Sequence, residues 1–88
     1  MSRDLPSALG TPASRAFPIT PSNDSDLSAR VQGIYVGGAG NVALVPADAP
    51  DGAAAVVFLN VPAGMVLPVM TRAVRATGTT ANGLIGLI

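Results

Sequence analysis

Neither cysteine nor histidine occurs among the 88 residues, and lysine and tryptophan are missing as well. Without cysteine there is no disulfide framework and no thiolate metal site. Without histidine the imidazole general base is gone, together with a principal zinc and iron ligand. Serine and threonine are plentiful, but nothing is present to activate them, so no catalytic residue, cofactor or metal is expected. Charge is also scarce and balanced: five arginines face five acidic residues, for a formal net charge of zero. That balance gives the chain no pull toward nucleic acid or an anionic membrane.

No charged residue falls between Ala53 and Met70, a length at the threshold for a membrane-spanning helix. Asn60, Pro62, Gly64 and Pro68 interrupt any such helix, and Val56-Val57-Phe58 favours a strand. A buried strand pair is expected there rather than a span. At the N-terminus, Arg3 and Asp4 precede Leu5-Pro6-Ser7, without the continuous apolar stretch of a signal peptide. A soluble product, held in the cytoplasm until assembly, is expected.

What is present divides the chain in two. Residues 1–29 carry four prolines, Pro6, Pro12, Pro18 and Pro21, among many serines. Such a composition repays little of the entropy of folding, so the N-terminal arm is expected to be extended, or ordered only against a partner. Within it Phe17-Pro18-Ile19 and Leu27 form apolar islands, read as staples onto the arm's own domain or a neighbouring subunit. The run Pro21 to Leu27 has capping side chains but no capping-box Glu or Gln, and allows a single helical turn at most.

Residues 30–88 read as a compact all-β domain, a small β-sandwich or barrel, with short apolar runs punctuated by turn residues. Gln32–Val36 and Val42–Val45 are expected to form a hairpin about a glycine-rich turn at Gly37, Gly38 and Gly40. Pro46–Gly52 reads as an exposed loop. Ala54–Val61 is the next strand, closed by Pro62-Ala63-Gly64, where proline second and glycine fourth suit a type I turn. Met65–Val74 follows, as one long strand or two split at Pro68, which places that point at an edge or bulge. A polar turn containing Gly78 precedes a terminal strand at Gly83–Ile88. Along the strands Val57, Leu59 and Val61 would share one face and Val56 and Phe58 the other, so both faces call for burial. One small domain has one core, and the second face needs another sheet, the arm or another copy.

Other chemistries fit poorly. The glycine cluster lacks the Lys and Ser/Thr of a phosphate-binding loop and is followed by a β-like run. Asp24 with Asp26, and Asp48 with Asp51, sit in loops without the further ligands of a calcium site and read as solvated carboxylates. Arg72 and Arg75 are too few, with too few aromatics between them, for an oligonucleotide-binding barrel, and suit inter-subunit ion pairs or a solvated face.

The order of motifs Ile34-Tyr35-Val36-Gly37-Gly38-Ala39-Gly40-Asn41-Val42, Val57-Phe58-Leu59-Asn60-Val61-Pro62-Ala63-Gly64, Leu67-Pro68-Val69 and Val74-Arg75-Ala76-Thr77-Gly78-Thr79-Thr80-Ala81 resembles the spike base, or head decoration, proteins of gene transfer agents and related tailed phages. The resemblance runs from about Ser25 to Ile88. It departs at Met70-Thr71-Arg72, where relatives carry more arginine. It implies a virion protein on the capsid surface that binds the major capsid protein, anchors a spike or fibre and forms a homo-oligomer, as a pentamer or a trimer. Gly37, Gly40, Pro62, Gly64, Pro68 and Gly78 carry over as shape determinants, and Phe17, Ile19, Leu27, Arg72 and Arg75 are candidates for subunit or capsid contact. The alternatives are a tail or head-tail connector subunit, or a small ligand-binding barrel, which would be monomeric with a cavity.

Overall fold

A computed structural model describes residues 13–88. Their seven strands are β1 (Ala16–Pro18), β2 (Gly33–Gly38), β3 (Gly40–Pro46), β4 (Val56–Val61), β5 (Val66–Leu67), β6 (Thr71–Arg75) and β7 (Asn82–Leu87), with no helix among the described residues. They form two antiparallel sheets, ordered β1-β7-β2-β5 and β4-β3-β6. Of the two architectures expected, the fold is the sandwich. The run Ala53–Met70 folds as β4, a turn and β5, not as a helix.

The core lies between the sheets. Ile34, Val36 and Leu84 come from one sheet and Val42, Leu44 and Val74 from the other, all at most 3 % exposed. Burying each such side chain contributes about 1.5–3 kcal/mol, which makes this layer the main source of stability. Thr71 is the one buried polar side chain among the described residues, and its hydroxyl donates to the Val69 carbonyl at 2.9 Å.

The glycine-rich hairpin expected between β2 and β3 does not form. β2 pairs with β7 and β5, β3 pairs with β4 and β6, and the two lie in different sheets. Gly37 and Gly38 lie inside β2 and Gly40 opens β3, leaving Ala39 alone to turn the corner. Glycine is needed there because backbones meet. A Cβ at Gly37 would stand 2.8 Å from the Gly83 carbonyl oxygen, and one at Gly40 would run into the backbone of Thr80 and Ala81.

The turn after β4 is also displaced from its expected register. Met65 N donates to Pro62 O at 3.4 Å, so proline comes first and Gly64, at φ 84°, comes third. A positive φ at the third position alone is the type II pattern, which explains the glycine. The Met65–Val74 run is divided, and Pro68 lies in the link between β5 and β6.

The predicted division of faces along β4 fails at Asn60. The partners step from Val42↔Phe58 to Gly40↔Val61, a bulge in which Asn60 takes φ 56°. The extra residue turns the strand so that Phe58 and Val61, three apart, both face the core, while Leu59 points out.

Residues 1–12 of the expected arm lie outside the described residues. From residue 13 the chain runs along the sandwich. Ser14 N and Arg15 N donate to Ile88 O, β1 extends the first sheet beside β7, and Ile19 N donates to Leu84 O. The chain then crosses to the second sheet, where Ser22 N, Leu27 N and Val31 N donate to the carbonyls of Val74, Arg72 and Thr71. In place of a helical turn, the Ser22 hydroxyl accepts from Asp24 N and Ser25 N, each at 3.2 Å. β1 and β6 thus share one edge of the sandwich. β4 and β5, joined by the Pro62–Met65 turn, share the other.

Candidate interaction surface

The sandwich has no pocket among the described residues, so its chemistry lies on its surface. Two-sided burial is met inside the chain for β3 and β6. Ala43, Val45 and Ala73, on the side of the sheet away from the core, are completely buried. Ala43 is held under the 76–79 turn, its N–H donating to the Thr79 hydroxyl at 2.9 Å while that hydroxyl donates to Arg75 O at 2.7 Å.

β4 and β5 are covered differently. Among the described residues seven large hydrophobics are exposed, and six of them, Val56, Val57, Leu59, Met65, Val66 and Met70, fall in one stretch of chain. The seventh, Tyr35, pairs with Val66 across β2 and β5. Leu59 and Met70 are 67 % and 63 % exposed, values of surface residues, not of a core that has merely loosened. No charged side chain is found from Gly52 to Thr71. Exposed apolar residues gathered along one edge of a small protein mark an association surface.

β4 is also a bare edge. Among the described residues it ends its sheet with β3 as its sole strand partner, whereas the outer side of β6 is overlaid by the 22–31 segment. An edge strand presents a row of unpaired N–H and C=O groups, usually guarded by lysine, proline or an inward charge. β4 has none of these, only the bulge at Asn60. Across the outer face of the first sheet runs a charge-free rung, Pro18, Ile85, Tyr35 and Val66, one residue from each strand. It continues the apolar surface beyond β5.

Phe17, Ile19 and Leu27 fasten the N-terminal segment onto the chain's own domain, the first of the two outcomes expected for them. Ile19 is 7 % exposed and part of the core, and Phe17 and Leu27 pack half-buried against it. Ile19 therefore has almost no surface left for a neighbour. Arg72 donates to the carbonyls of Ala49 (2.6 Å) and Pro50 (3.0 Å), fastening the 47–53 loop, with Asp51 at 4.0 Å. Arg75 donates to Ser22 O and Ser25 O and pairs with Asp26 at 3.3 Å, fastening the N-terminal segment. Both guanidiniums are spent on their own chain. Asn23 and Thr77 add a reciprocal pair of 2.9 Å hydrogen bonds to the same seam.

The apolar character of both faces of β4 was legible in the sequence, which calls for another sheet, the arm or another copy over the second face; among the described residues several of its side chains stay exposed. Its signal was the charge-free run itself, joined to apolar residues on both faces of the strand.

No family model and no curated protein matches the chain. Among solved structures it is similar to a chain of the capsid of a native gene transfer agent particle, computed with C5 symmetry. The TM-score is 0.76 and the identity 34 %, over 96 % of this chain and 92 % of that one. At that identity and coverage the likeness extends beyond the fold. The chain belongs to the family of gene transfer agent and phage capsid proteins represented by that component, and it is a structural protein of a virion.

Proposed function

We propose that this protein is a head spike base or capsid decoration subunit, which binds the major capsid protein on the capsid surface and anchors a spike or fibre. The observation that carries the reading is the 34 % identity with a gene transfer agent capsid chain over nearly the whole length of both. The motif order from Ile34 to Ala81 supports the spike base role within that class. The oligomer proposed is a pentamer at the vertices. The role is mechanical and involves no catalysis, cofactor, nucleic acid or membrane. The protein assembles in the host cytoplasm and remains in the particle.

A reconstruction of particles in which this chain carries a fused tag tests the proposal. Tag density is expected at the head vertices, beneath any fibre. Density confined to the tail or the head-tail junction would refute it.

A further inference from the structure

We infer that the bare edge of β4 takes the N-terminal segment of a neighbouring copy as an added strand, so that copies join head to tail. The inference rests on the reading of the chain as an assembled virion part, and it names the surface and the segment that make the joint.

Three observations carry it. The first is the edge itself, six residues long, unpaired on one side among the described residues and flanked by exposed Val56, Val57 and Leu59. A strand laid there would bury apolar side chains on both faces and satisfy the row of backbone groups. The second is the character of the segment before the described residues. From Leu5 to Thr11 it has no charge, so docking against an uncharged edge leaves no ion desolvated. Ser7 to Thr11, between Pro6 and Pro12, keep every N–H, and a strand there would put Leu5 and Leu9 on one side and Ala8 on the other.

The third observation is where the segment starts. Ser14 and Arg15 are tied to Ile88, beside β1, on the edge opposite β4. With Ser7–Thr11 laid down as the strand, only residues 12 and 13 link it to Ser14, a reach of about 10 Å. To reach its own β4 the segment would have to pass round a body whose shorter dimensions are 29 and 20 Å. A neighbour whose β4 edge abuts this β1 edge lies within that reach. Contact between unlike edges is heterologous and closes into a ring when the rotation allows.

The absence of cysteine makes the test clean. Full-length Leu9→Cys and Leu59→Cys proteins, one carrying a mass tag, are mixed and mildly oxidised. Leu59 is 67 % exposed, so its replacement leaves the core alone. The mixed disulfide dimer is expected in large excess over that from Leu9→Cys with Ser28→Cys, an exposed position away from β4. In light scattering, full-length Leu9→Asp is expected to weaken self-association at least about tenfold, because the charge must be desolvated at the joint. No excess of the mixed dimer, a doubly substituted chain that closes on itself, or Leu9→Asp associating like the parent would overturn the inference. If the parent stays monomeric yet binds purified major capsid protein, the strand addition alone fails. If it neither self-associates nor binds capsid protein, the virion-subunit reading fails with it.

Discussion

Asn60 holds left-handed backbone, φ 56°, at the bulge that brings both Phe58 and Val61 to the core. Replacing it with valine sets two costs against each other. If the bulge is kept, a β-branched residue must occupy left-handed space, at about 1–2 kcal/mol. If the strand straightens into regular alternation, Val61, now 4 % exposed, turns outward and forfeits about 1.5–3 kcal/mol of burial, and the pairing with Gly40 is lost too. Strain is the cheaper route, so Asn60→Val should keep the bulge and lose about 1–2 kcal/mol. The hydrogen bond from Asn60 N to the Asn41 side chain, 3.0 Å, is made by backbone and survives any replacement but proline. Asn60→Gly, which suits the dihedral, should therefore stay within about 0.5 kcal/mol of the parent. In a domain of this size the valine variant should melt roughly 5–15 °C lower, with amide exchange at Val61 still slow. A valine variant as stable as the parent, or a glycine variant as unstable as valine, would refute this account of the bulge.

Three further perturbations address other parts of the fold. Ile34→Ala, at a completely buried position, should cost about 2–5 kcal/mol in urea unfolding. Gly37→Ala should cost about 1–3 kcal/mol and speed amide exchange in β7, because its Cβ meets the Gly83 carbonyl at 2.8 Å. Arg75→Ala should cost about 1 kcal/mol and speed exchange at Ser22 and Leu27, whereas Asp26→Asn should cost less than about 0.5 kcal/mol, the ion pair being half in solvent.

What was legible in the sequence follows from how local each signal is. Strand positions could be read because β-branched clusters and turn residues act over a few neighbours. Connectivity could not: Gly37, Gly38 and Gly40 suit a hairpin turn as well as a corner between sheets, and the choice was made by the distant Gly83 and Ala81 backbones. The faces of β4 were misread because a single left-handed asparagine inverts the alternation, and asparagine is common enough in turns to give no warning. Arg72 and Arg75 looked available to a partner because their acceptors are backbone carbonyls, on the 49–50 loop and in the 22–25 segment, and carbonyls leave no pattern in a sequence.

The four strand edges of the sandwich decide how it can associate. β5 has two residues and β1 three, too short to template a partner by themselves, and β6 is overlaid by the chain's own 22–31 segment. Among the described residues β4 alone is long, bare and free of charge. In a lone molecule that edge is a liability, since an unguarded apolar strand invites indiscriminate pairing. In an assembly the same edge is an asset, because backbone pairing fixes register and orientation while the apolar flanks supply affinity. Opposite edges that differ this much favour a directional joint over a self-complementary one.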